Sequence, residues 1–313
     1  MRGYKIASKL CKITVEARKE KFDKERRLFK LDKAIRRTIY NEKCRINMKI
    51  EVLISTMQQV DYYKFLENMK IQSDAVIINQ CDTKKKINFK YKGFNILWID
   101  TLERGLSNSR NMAIKNSSAD ICIFADDDEE LRSGYVQIIE ESFEENKDYQ
   151  ILRFKVEGVE KPFKQYPEKS FQIGFFKSLK VSSVEIAFRR NAILEGHIEF
   201  DPFIGAGTKF PMGEENAFLF QCLQKKLKIR YVPKTIADLH IGTSTWFTGY
   251  NKRYFVGRGA AFTSMSEWGA PILILQFAIR KRKIYKKELS VYRAIRYMFQ
   301  GRKEYIAIKS KKF

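Results

Sequence analysis

The chain has 313 residues, of which 44% are hydrophobic and 13% aromatic, and its formal net charge is +23. That length permits one large domain or two modest ones, and that apolar content excludes a wholly disordered chain. The longest apolar run, Ala270 to Ile279, is about half of the roughly 18 residues needed to span a bilayer.

The N-terminus is basic but lacks the apolar core of a secretory signal. Five cysteines stand at 11, 44, 81, 122 and 222. Their odd count and the lack of a CxxC pair point to reduced thiols in a cytoplasmic protein. The charge is unevenly placed. Residues 1–47 carry 16 Lys/Arg against 6 Asp/Glu, and residues 250–313 carry 16 against 3. The middle, 48–249, is balanced at 28 against 28. A nucleic-acid-binding domain usually carries its basic patch on the folded body. Basic ends around a neutral middle fit attachment to an anionic membrane surface instead.

Taken in chain order, residues 5–47 have no Gly or Pro, and Leu28, Leu31, Ile35 and Ile39 recur at helical spacing. This helix either packs on the body or on a second copy, as in a homodimer, or lies on lipid headgroups; both readings stay open. From Met48 the texture changes. "KIEVLIST", "SDAVIINQ", "FNILWID" and "DICIFAD" read as strands, separated by helical "DYYKFLENMKI" and "LSNSRNMAIKN". Such alternation predicts βαβ units with a mostly parallel sheet. Each strand ends in polar residues, at Ser55–Thr56, Asn79–Gln80, Asp100 and Asp126–Asp128. Ligands bind beyond the carboxyl ends of such strands, so these ends predict one shared pocket. A helix at "GYVQIIEESFEEN", a strand at "YQILRFKVEG", a looser region over 158–240 and two basic, aromatic helices from Gly249 complete the chain.

Two constellations carry chemistry. After the buried strand Ile121 to Ala125, Asp126 and Asp128 alternate, so they can converge on one hard cation such as Mg²⁺ or Mn²⁺. The competing reading is a solvated turn that caps the next helix. In "GEENAFLFQCLQKK", Glu214 and Glu215 open a helix, where the helix dipole favours acidic groups whatever their function.

The stretch "ERGLSNSRNMAIKNSSADICIFADDDE" resembles the family 2 glycosyltransferases of the GT-A fold. The shared pattern is a Gly entry (Gly105), a triplet on a helix (Ser109-Arg110-Asn111), a small-residue turn (116–120), an apolar strand and Asp-x-Asp (Asp126 to Asp128). The likeness extends back to "EVLIST" and forward to "GEEN" and "VPKTIADLHIGTST", covering roughly residues 48–245. It implies a Rossmann-like, mixed, mostly parallel sheet flanked by helices, here with basic helical extensions at both ends. It also implies a metal-dependent inverting transferase that moves a sugar from a nucleotide diphosphate, a UDP-sugar, with Mn²⁺ or Mg²⁺.

By that resemblance Asp128 and Asp126 hold the metal together with His240. Ser55, Thr56, Asp82, Arg104, Asn108, Arg110, Asp126 and Asp127 meet the donor. Glu215 takes the place of the usual Asp as general base, with Glu214 as the alternative. The second strand departs from the family, since Asn79 and Gln80 stand where Asp is usual, with Asp82 slightly later. The acceptor the resemblance implies is a saccharide, lipid-linked in bacterial surface or capsular polysaccharide synthesis, on the inner face of the plasma membrane. The domains expected are a basic helical extension (1–47), a nucleotide-sugar half (48–150), an acceptor half (151–248) and a membrane-associated helical region (249–313). Two other readings are a nucleic-acid-binding protein using its basic ends and an inactive GT-A scaffold.

Overall fold

Four Val- and Ile-rich runs form the middle of the sheet, because each is apolar on both faces and must be covered on both. They are β1 (Ile50–Met57), β2 (Asp74–Gln80), β4 (Phe94–Thr101) and β5 (Ile121–Asp126). The strand between them, β3 (Lys85–Tyr91), is antiparallel to β4 and lies at the sheet's end. In this computed structural model, residues 48–242 and 249–311 are described; the expected N-terminal helix lies outside them.

The remaining strands are β6 (Glu129–Leu131), β7 (Ile151–Gly158), β8 (Phe171–Ile173), β9 (Ile186–Arg189) and β10 (Ile229–Leu239). The order is β3-β4-β2-β1-β5-β9-β7-β10-β6, with β8 paired to β10. β4, β2, β1 and β5 are parallel neighbours, and so are β7 and β10. β9 runs antiparallel between the two groups. The sheet is therefore mixed and mostly parallel, as expected.

Helices α1 (Tyr62–Asn68), α2 (Leu106–Asn116) and α3 (Tyr135–Glu145) follow β1, β4 and β6. Short helices α4 (Phe175–Ser178) and α5 (Arg190–Glu195) precede α6 (Glu214–Gln224). One apolar layer contains Val52, Ile54, Trp98, Phe143 and Phe154; the opposite one contains Leu53, Phe124, Phe188, Phe200 and Phe218.

After Gly249 the described residues form four helices, not two: α7 (Lys252–Met265), α8 (Ala270–Arg280), α9 (Arg282–Tyr285) and α10 (Val291–Lys309). Pro271 sits in the first turn of α8, where a missing N–H is harmless. α7 and α10 cross backbone to backbone. A Cβ on Gly259 would lie 1.9 Å from the Met298 carbonyl oxygen, and one on Gly301 1.9 Å from that of Val256. Among the described residues, no helix is long and apolar enough to cross a membrane.

Candidate active site

The strand register lines up polar residues along the carboxyl edge of the sheet. Ser55 pairs with Asp126, Thr56 with Asn79, and Asn79 with Asp100. Buried polar groups need partners, and these have them. Ser109 Oγ donates to Ser55 Oγ at 2.8 Å, and Thr56 Oγ1 donates to Asp127 Oδ2 at 2.6 Å. Asn79 Nδ2 and Trp98 Nε1 both donate to Asp100 Oδ1 at 2.8 Å. Next along the edge, Arg104 pairs with Asp82 at 2.6 Å, and Asn108 Nδ2 donates to the Arg104 carbonyl at 3.0 Å. Asp82 itself is largely exposed, while the Gln80 side chain accepts the Gly105 N–H at 2.8 Å.

Arg110 occupies the centre. Its side chain is 2% exposed, and its Nη2 lies 2.9 Å from Asp126 Oδ1 and 2.7 Å from Ser183 Oγ. Nη1 lies 3.3 Å from Glu214 Oε1. The guanidinium also stands over the rings of Phe124 and Phe200, at 5.9 and 5.5 Å. An arginine fork suits this double task, because it can serve two carboxylates at once.

Helix α2 carries Arg110 and is tied to the loop before α6. Leu106 N–H donates to the Ala206 carbonyl at 3.0 Å, and Ser107 Oγ to that of Ile204 at 2.7 Å. Gly205, at φ +108°, closes this contact, since a Cβ there would stand 2.9 Å from Ser107 Oγ and 3.2 Å from the Glu214 side chain. Asp126 and α6 are thus brought together by one residue and one loop.

The carboxylates differ. The Asp128 carboxyl is pushed up to about 6, by loss of hydration and then by Asp126 and Asp127. Glu215 is half-buried; its carboxyl is pushed up to about 8, by burial first and then by the Glu214 charge. Glu129 is fully buried and raised well above the usual carboxylate range by burial and by Asp126. Its Oε2 accepts the Asp126 N–H at 2.9 Å, while its Oε1 has no partner among the described residues. Next to the acidic run, a charged pair such as Glu129 and Glu130 has the look of a solvated turn. Instead both belong to β6, paired with β10.

His240 sits beside the run, and its N–H donates to the Asp128 carbonyl at 2.9 Å. Its ring nitrogens, however, lie 3.0 Å from Glu130 and 3.2 Å from Glu160. These two carboxylates raise the imidazole pKa. Past Glu160 a cavity of about 470 Å³ opens, lined by Glu157, Lys161, Phe163, Lys164 and Tyr166 among others.

Asn79 and Asp100 stand at the strand ends expected to line the pocket, whereas Ser183 and Trp98 were not among the expected site residues. The strand-end polarity that marked Ser55 and Asp126 also marks Asn79 and Asp100. Ser183 gives no comparable signal, because it sits in a short 3₁₀ turn (Ser183–Glu185).

Residues 76–205 match the family described as glycosyl transferase family 2. The resemblance to the family 2 glycosyltransferases holds. Solved structures agree in fold. A crystal structure of S. aureus TarS residues 1–349 in complex with UDP-GlcNAc aligns with TM-score 0.55 and 13% identity, over 77% of this chain and 74% of that one. The same fragment in complex with UDP gives 0.54 and 12%, over 81% of each chain. A longer TarS structure gives 0.52 and 13%, with 44% of that chain covered. No curated protein matches the chain.

Proposed function

We propose that the protein is a metal-dependent, inverting glycosyltransferase that moves a sugar from a UDP-sugar to a saccharide acceptor, lipid-linked in surface polysaccharide synthesis. The observation that carries this reading is the Arg110 bridge, which sets the acidic strand end Asp126 against the Glu214–Glu215 helix start. Donor and acceptor chemistry need those two parts side by side. The family match supports glycosyl transfer, and the TarS complexes with UDP-GlcNAc and UDP support a donor of that class.

The acidic run suits a divalent cation. It offers only hard carboxylate oxygens, and Asp128 is crowded by two like charges. Among the described residues no cluster of three or more His, Cys, Asp or Glu stands ready to hold an ion. A Mg²⁺-type ion needs only one or two carboxylates when substrate phosphates and water complete its shell. Asp128 and Asp126 would hold it, and it would neutralise the charge on the departing diphosphate. His240 would join only after leaving Glu130 and Glu160.

The chain's own groups have distinct tasks. Arg110 keeps Asp126 oriented and adds positive charge beside the leaving group. Thr56 fixes Asp127. Asn79 and Asp100 present a firm polar edge on which a base can be held. Glu214 is engaged by Arg110, which makes it a poor proton acceptor. Glu215, with a carboxyl pushed up towards neutrality, takes the proton from the acceptor hydroxyl. A single displacement at the anomeric carbon then inverts its configuration.

Calorimetric titration with UDP and Mn²⁺ tests the donor side. The parent protein binds, and Asp128→Ala does not. Equal binding by the two would end the assignment.

A further inference from the structure

The outer face of α8 is apolar where a solvated helix would be polar. Its inner face is already used, with Ala270, Leu273, Ile274 and Ala278 buried against the other C-terminal helices. The opposite stripe leaves Ile272 72%, Leu275 44% and Ile279 69% exposed, and Trp268, just before the helix, 94% exposed. The spacings 268, 272, 275 and 279 keep these four on one side. A contiguous exposed apolar patch of this kind marks an interaction surface.

The chain that follows is cationic. Arg280, Lys281, Arg282, Lys283, Lys286 and Lys287 are all exposed, and α9 adds exposed Ile284 among them. Between Trp268 and Lys287 there is no Asp or Glu. The combination of tryptophan, aliphatic stripe and flanking cations matches a helix lying in a membrane interface.

We propose that α8 and α9 form a docking surface for an anionic lipid bilayer, with Trp268, Ile272, Leu275 and Ile279 entering the interface and Arg280 to Lys287 meeting the headgroups. Charge decides the occupant. A second copy of this chain would set cation against cation. A surface of anionic lipid is complementary to both parts of the patch. The patch is also firmly attached. Phe277 of α8 packs edge-on against Phe262 of α7 at 5.7 Å, and Gln224 of α6 donates to the Met265 carbonyl at 3.1 Å. Docking would therefore hold the Glu214–Glu215 helix near the lipid. The inference rests on exposure and charge alone and stands apart from the transferase reading.

Flotation of the full chain with vesicles tests it. Vesicles of phosphatidylcholine mixed with phosphatidylglycerol should carry the protein, while phosphatidylcholine alone should not, and added salt should weaken binding. The I272E/I279E variant should bind the mixed vesicles more than about tenfold less tightly, with its melting temperature and UDP binding kept. The R282E/K283E variant should lose at least about thirtyfold. Tryptophan emission should shift to the blue on mixed vesicles, and the shift should be absent in W268F. Unchanged vesicle binding by I272E/I279E overturns the proposal. So does a concentration-dependent dimer that I272E/I279E disrupts in a protein that binds no vesicles.

Discussion

Arg110 and Glu214, 104 positions apart in the chain, meet at 3.3 Å inside the protein, and the same guanidinium holds Asp126 at 2.9 Å. The ion pair is a joint between a strand end and a helix start. It explains why two acidic groups can stand so near each other in a folded chain.

Arg110→Met tests that joint. It leaves Glu214 buried without its cation, and breaking a buried pair from one side costs about 3–5 kcal/mol. Chemical unfolding should register a loss at the lower end, about 3 kcal/mol, because Asp126 is partly open to water. UDP binding should fall with it. A variant as stable as the parent would mean that the bridge contributes no net stability.

Asp128→Asn should uncouple stability from ligand binding. The folded pKa of Asp128 lies above its ordinary value, so its charge at neutral pH opposes folding, and the opposition grows as pH rises through about 6. Removing that charge should stabilise the ligand-free protein at pH 7, by about 1 kcal/mol at most because the residue faces solvent. The added melting temperature that UDP with Mn²⁺ confers on the parent should vanish. A destabilised free protein would contradict the crowding of Asp126 to Asp128.

Glu215→Gln should keep donor binding and lose turnover. In the parent, kcat/KM should rise with pH and level off above about 8, since the base works only when deprotonated. Stability should move the other way. Between its ordinary value of 4.5 and about 8 the folded state binds this proton and the unfolded state does not, so stability falls as pH rises across that window. Glu214→Gln should keep a rising pH profile but move it to lower pH, because the Glu214 charge no longer raises the Glu215 carboxyl; activity lost in Glu214→Gln but kept in Glu215→Gln would exchange their roles.

Glu185→Ala should be among the most destabilising single changes. Glu185 is fully buried, with Arg153 and Lys164 each at 2.7 Å. Removing it strands two cations, at about 3–5 kcal/mol. Urea unfolding checks this, and a loss below about 1 kcal/mol would show that the site relaxes or hydrates easily.

Much of this architecture was legible in residue order. β1, β2, β4 and β5 are buried on both faces and so read as unbroken apolar runs, each ending in the polar residues that line the edge. β3 was not anticipated, because an end strand carrying Lys85, Lys86 and Lys90 has the look of a loop. Arg110, Asp126 and Glu214 were named from their motif, but the bridge among them depends on a crossing of α2 and the 200–206 loop that no local pattern announces. The placing of Glu129 in a buried strand escaped for a related reason: a charged side chain gives no sign that it will be enclosed. His240 was named as a metal ligand from the resemblance of its neighbourhood, while its engagement with Glu130 and Glu160 depends on the β6–β10 pairing.

The crossing of α7 and α10 at Gly259 and Gly301 has a mutational consequence. Each glycine touches the opposite helix's backbone, which cannot step aside as a side chain can. Even alanine at either position would drive the two helices apart. The helical cap thus has two sites closed to substitution, and drift elsewhere on its surface has to proceed around them.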